Sequence, residues 1–148
     1  MERFLIVVLA MVLGAALPAC GAARIPPPPR PVSIDDPEQL VAAFYRRLNA
    51  EDLEGVLALM VREPELVEPF SHPDSATSHR GYHEVGRFFA EAFRSRDDQV
   101  VPEYIRTEGG VVSVGWSMTG TDGNGMSGVS HIEVHRGQIA RLVIEQRE

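Results

Sequence analysis

Lysine is absent from this chain, and cysteine and tryptophan occur once each. A single cysteine excludes an intramolecular disulfide. All 14 basic residues are arginines, and 21 acidic residues outnumber them, for a formal net charge of −7. An acidic, lysine-free chain without a basic patch is a poor partner for nucleic acid, whose phosphates need clustered cations. The same charge gives it no attraction to anionic lipid. Also missing are a Gly-x-Ser-x-Gly elbow, a phosphate-cradling glycine loop and a dinucleotide fingerprint. No cofactor and no metal site is expected. His79 and His83 have the spacing of helical zinc ligands, but Gly81 lies between them and no third ligand is evident.

One long apolar run is present, "FLIVVLAMVLGAAL" from Phe4 to Leu17. At about 14 residues it is short of the ~20 a spanning helix needs and suits a signal-peptide core. It leads into "LPAC" and Gly21. This resembles the bacterial lipoprotein signal: Leu17, Ala19 and Cys20 fit, whereas Pro18 departs from the usual small or β-branched residue. The resemblance implies removal of residues 1–19, acylation of Cys20 and an exported protein held on a membrane of the cell envelope by its lipid. Each buried acyl methylene contributes about 0.8 kcal/mol. An uncleaved anchor extending to Ala23 stays open. The run "RIPPPPRP" that follows favours polyproline II, so residues 20–34 read as a semi-rigid tether. The domain then occupies residues 35–148.

Within it, Asp36-Pro37-Glu38-Gln39 has the form of a helix start, and Leu40, Phe44 and Leu48 recur along one face. Asp52 caps a second, shorter helix. Residues 65–70 form a short extended segment carrying Glu68. After the polar loop "SHPDSATSHRG", Val85, Phe88, Phe89, Ala92 and Phe93 mark a third helix over about 82–95. The period then changes to two, with Val112, Val114, Trp116 and Met118 alternating with small residues. Gly109-Gly110, Asp122 to Gly125 and Arg136-Gly137 punctuate four such segments as hairpin turns. Three helices followed by an antiparallel meander predict an α+β domain whose curved sheet wraps the helices and leaves an open-mouthed pocket.

"FYRRLNAEDLEGVLALMVREPELVEPF", "RGYHEVGRFFAEAF" and "VSHIEVHRGQIARL", in that order and spacing, resemble the nuclear transport factor 2-like superfamily. The nearest members are its SnoaL-like and ketosteroid isomerase-like proteins. The resemblance spans about residues 37–146. It implies a cone-shaped barrel, and often a homodimer through the outer sheet face. It places Glu68-Pro69 where the isomerases carry their aspartate general base. A carboxylate in an apolar pocket is expected to have a raised pKa, suited to moving protons near neutral pH. The oxyanion donors do not carry over. Phe44 stands at the position of the oxyanion tyrosine, and Tyr45 lies about 100° further round the helix, turned away. Ser130, which shares an inward face with Ile132 and Val134, stands at the position of the protonated acid.

The candidate site therefore comprises Glu68 as general base, with His72 as a weaker second acid/base group. Phe44, Phe70, Phe88, Trp116, Ser130 and Ile132 form the pocket wall. His131, Glu133 and His135 belong to the outer face. Two readings stay open. One is a non-catalytic module binding a small hydrophobic molecule or docking a protein. The other is an isomerase-, cyclase- or hydrolase-like enzyme that uses Glu68 as base on a hydrophobic substrate. Without two strong donors an enolate loses about 2.7–4 kcal/mol per donor, which favours the binding module. The lipoprotein reading predicts that protein extracted from membranes has the mass of residues 20–148 plus acyl chains. An unmodified chain still beginning at Met1 would contradict it.

Overall fold

The computed structural model describes residues 25–72, 74–95, 98–119 and 125–147. The expected signal segment, Cys20 and residues 122–124 of one expected turn lie outside them. Helix α1 (Pro37–Asn49) starts as its sequence predicts, with Pro37 in the first turn and the Asp36 carboxylate accepting from the Glu38 and Gln39 amides. Helix α2 (Leu53–Ala58) is capped by Asp52, which accepts from the Gly55 amide. Helix α3 runs from Gly81 to Ser95.

The strands are β1 (Met60–Glu68), β2 (Thr77–Arg80), β3 (Val101–Glu108), β4 (Val111–Thr119), β5 (Gly125–His135) and β6 (Gln138–Arg147). They form one sheet in the order β2-β1-β6-β5-β4-β3. Strands β3 to β6 are the expected antiparallel meander, but β1 runs parallel to β6, so the sheet is mixed. This parallel pair joins residues far apart in the chain, and no local pattern announces it. Strand β1 is also longer than the expected 65–70 and stops at Glu68, leaving Pro69 and Phe70 in a bend. Strand β2 emerges from what reads as a polar loop. At the β5–β6 hairpin Arg136 and Gly137 both have positive φ, 50° and 73°, as a type I′ turn requires.

The sheet curls around α1 and α3 without closing. Its inner face alternates with the outer along β5: Gly128, Ser130 and Ile132 are buried, while His131 and Glu133 face outward. Outside, Glu65 bridges Arg80 and Arg141, and Arg141 also reaches Glu133. Inside, Leu40, Phe44, Leu66, Val85, Ile132 and Leu142 are among the core residues.

The proline-rich stretch differs from expectation. Residues 25–34 lie along the domain as a strap instead of leading away from it as a free tether. Ile34 donates its amide to the Gly137 carbonyl at 2.9 Å, and Val32 to that of Ala58 at 2.8 Å. The Tyr82 hydroxyl reaches the carbonyls of Pro26 and Pro27 at 2.8 and 3.1 Å. Ile25 packs beside Gly86 of α3, where a larger residue would displace it. Proline carbonyls are unpaired in polyproline II, which leaves them free for such contacts. Tyr82→Phe is expected to destabilise the protein by about 1 kcal/mol. It should also speed hydrogen exchange at the Val32 amide, measured against wild type by mass spectrometry.

Candidate functional site

The concave face of the sheet, α1 and α3 enclose a cavity of about 620 Å³. Phe44 and Tyr45 of α1 line it, with Phe88, Phe89 and Ala92 of α3 opposite. The sheet contributes Trp116 and Met118 from β4, Met126 and Ser130 from β5, and Leu142 and Ile144 from β6. Phe70 and Ser71 stand at the rim. Trp116 has room for its indole because Gly128 pairs with it across the strands and has no side chain to occupy that space. The rings meet edge to face, with Phe44 6.1 Å and Phe88 5.4 Å from Phe89.

Five of the six expected wall residues, Phe44, Phe70, Phe88, Trp116 and Ser130, line this cavity. Ile132 does not. It pairs with Val112 and Leu142, one inward step beyond Ser130, and is fully buried in the solid core. His72 is exposed on the rim loop and does not line the cavity. Phe88, Ala92 and Phe93 of α3 are only partly buried, since this stretch of the helix faces the opening.

Tyr45 corrects the expectation that it turns away. A deeply concave sheet covers more than one side of α1, so neighbouring positions 44 and 45 both face inward. Tyr45 is 4% exposed and its hydroxyl is hydrogen-bonded to Ser130, itself 3% exposed. Burial pushes the phenol up to about 12, against a smaller opposing effect of the Ser130 bond, so it stays a neutral hydroxyl. The cavity thus has one polar end, built from two hydroxyls.

Glu68 sits differently. None of its surface is exposed, and it lies behind the rim instead of lining the cavity. Its Oε2 accepts from the amides of Phe70 (2.5 Å) and Ser71 (3.0 Å). Its Oε1 accepts from Ser71 Oγ at 2.5 Å and lies 3.0 Å from His79 Nε2. Proline at 69 has no amide to offer, so the carboxylate bends back onto the next two N–H groups, as a helix cap does. Burial is the largest single influence on this carboxyl and pushes its pKa up. The bonds from Ser71, His79 and the two amides together outweigh burial and hold it below its ordinary 4.5. The raised pKa expected of a desolvated base is not found; Glu68 is ionised at neutral pH.

His79 is the partner that local pattern did not suggest. It lies on β2, whose Thr77 pairs with Glu68, and its ring packs against Phe88 with centroids 5.3 Å apart and planes tilted by 40°. The signal is faint: in "TSHR", Thr77 and His79 are the more buried positions and Ser78 and Arg80 the exposed ones. Among the described residues no three His, Cys, Asp or Glu side chains gather as a metal site.

A family model described as the SnoaL-like domain matches residues 41–142. No curated protein matches the chain. Among solved structures, a Kribbella flavida protein provisionally designated a ketosteroid isomerase is 22% identical, with a TM-score of 0.64 over 74% of this chain and 76% of that one. A Sinorhizobium meliloti protein provisionally designated a polyketide cyclase is 16% identical, with a TM-score of 0.64 over 72% and 94%. TerC, co-crystallised with polyporic acid, is 18% identical, with a TM-score of 0.64 over 74% and 90%. At these identities the likeness establishes the fold.

Replacing Glu68 tests its part in the structure. Glu68→Ala orphans two amides, the Ser71 hydroxyl and His79, and should cost about 3 kcal/mol in denaturant unfolding. Glu68→Gln lets Ser71 and His79 exchange donor and acceptor roles and should cost about 1 kcal/mol. Because the folded carboxyl titrates below its unfolded counterpart, its stabilisation is present above the ordinary 4.5 and is lost as pH falls through the folded value. The gap between wild type and Glu68→Gln should therefore close on acidification from neutral pH.

Proposed function

This chain belongs to the SnoaL-like domain family, and on that footing we propose that it binds a small, largely apolar molecule in the cone without turning it over. The observation that carries this reading is the state of Glu68: fully buried, ionised, absent from the cavity wall and holding four hydrogen bonds. A general base must reach the proton it removes with a free lone pair and a pKa near the working pH. Glu68 is spent instead on holding the rim loop. What faces a ligand is a ring-lined wall with two neutral hydroxyls at its buried end, Tyr45 and Ser130. That is the usual make-up of a ligand pocket: mostly apolar, with a few placed polar groups that fix orientation.

The second reading keeps Glu68 as general base of an isomerase-, cyclase- or hydrolase-like enzyme. Ser71 favours it, because its hydroxyl both lines the cavity and bonds Glu68, a one-hydroxyl route for a proton. As part of the same proposal, "LPAC" motivates an acylated Cys20 that holds the domain on a membrane of the envelope. Among the described residues no helix is long and apolar enough to cross one.

A neutral apolar fluorophore, N-phenyl-1-naphthylamine, tests the binding reading. It should brighten on titration into the protein. Ala92→Trp, which fills the cavity from α3, should weaken that binding at least about tenfold. Glu68→Gln should change it less than about threefold. Absence of binding, together with proton-transfer turnover that vanishes in Glu68→Gln, would establish the enzyme instead.

A further inference from the structure

Among the described residues on the cavity wall, the buried polar side chains are Tyr45 and Ser130. Ser130 stands on β5 between Val114 of β4 and Ile144 of β6, and the Tyr45 ring meets Phe44 edge to face at 5.3 Å. The two hydroxyls are bonded to each other. A hydroxyl carries one proton to donate and lone pairs to accept. One bond between two hydroxyls uses one of their two protons, whichever group donates. The pair therefore presents a single free donor beside free lone pairs. Burial keeps the phenol protonated, so that donor is retained at neutral pH.

Ligand classes differ in how they meet this pair. Two donors aimed at one oxygen form the arrangement that holds an oxyanion, and donors spent on each other do not. A carboxylate or phenolate would bring a full charge to one hydroxyl proton at the dry end of the cavity, leaving most of its desolvation uncompensated. A ketone would take the free donor and give nothing to the lone pairs. A hydrocarbon would bury that donor without a partner. A ligand hydroxyl accepts from one member and donates to the other, so every proton in the ring of three is used. Water meets the same needs, and a ligand that displaces it has to replace both bonds. The rings of Phe44, Phe88, Phe89 and Trp116 suit a flat or alicyclic body behind that hydroxyl.

We infer that the buried end is a hydroxyl-recognition site: the cavity takes a neutral aromatic or alicyclic alcohol or phenol that enters oxygen first and closes a ring of three hydroxyls with Tyr45 and Ser130. This rests on the binding reading and names the class of its ligand. Phe70, exposed at the rim, then lies beside the trailing end of the molecule.

The test uses four probes of similar shape, 1-(biphenyl-4-yl)ethanol, 4-acetylbiphenyl, 4-isopropylbiphenyl and biphenyl-4-carboxylate. Each displaces N-phenyl-1-naphthylamine from the purified full chain, read by fluorescence. The alcohol should bind about tenfold more tightly than the ketone, and the carboxylate most weakly. Tyr45→Phe and Ser130→Ala should each weaken the alcohol about tenfold, because either removes one member of the ring. Either variant still leaves one hydroxyl donor, so the ketone should change less than about threefold and should weaken only in the double variant. Unchanged binding of 4-isopropylbiphenyl shows that the variants keep the cavity intact. The hydroxyl assignment is overturned, with the binding reading left standing, by a ketone or carboxylate that binds as tightly as the alcohol. It is overturned equally by an alcohol unmoved by both substitutions, or by a bound fluorophore that none of the four displaces. If neither the fluorophore nor any probe binds, the binding reading itself fails, and the assignment with it.

Discussion

A carboxylate removed from water has to be satisfied by the protein, and that requirement organises one end of this fold. Glu68 ends β1, and its four hydrogen bonds tie together the rim loop at Phe70 and Ser71 and the edge strand that carries His79. His79 in turn packs against Phe88 of α3, a wall of the cavity. The unpaired alternative, a buried charge with no donors, is not a stable state; the group would take up a proton or the loop would open. The rim of the pocket thus depends on a charge that does not line the pocket.

The same clamp separates structure from chemistry at this site. A base in an apolar cavity works because desolvation raises its pKa, and enough donors to hold the charge reverse that effect. At Glu68 the donors win, and the carboxylate rests in its ionised form. The buried polar groups that do line the cavity are the neutral pair of Tyr45 and Ser130. One fold hosts sites of different character, because the residues on the wall set the chemistry.

The proline-rich segment has a related effect on the far side of the molecule. Two of its carbonyls accept from the Tyr82 hydroxyl and two of its amides donate to the Ala58 and Gly137 carbonyls, so the strap is hydrogen-bonded to α3, the end of α2 and the β5–β6 turn. Polyproline II suits this place, since its unpaired backbone groups are presented outward along the strand. Composition alone reads the same run as a spacer; docking depends on the facing tyrosine and two carbonyls brought there by the fold.

Elements whose signals are local could be read from the order of residues alone. The Asp36-Pro37 and Asp52 caps, the period of α1 and α3, the alternation of β4 and β5 and the glycine turns at 109–110 and 136–137 all act within a few residues, and each was legible. So were five wall residues, because a conical core layer is also a pocket wall. Contacts between distant segments came with the folded arrangement. It ran β1 parallel to β6, drew "TSHR" into the sheet beside Glu68, and curved the sheet enough to turn Tyr45 inward with Phe44. It also closed the interior at Ile132 while leaving it open at Ser130. Whether a buried acid is raised or lowered in pKa depends on how many donors converge on it. For Glu68 the Phe70 and Ser71 donors are its neighbours in sequence, and the His79 ring comes from eleven residues further along the chain.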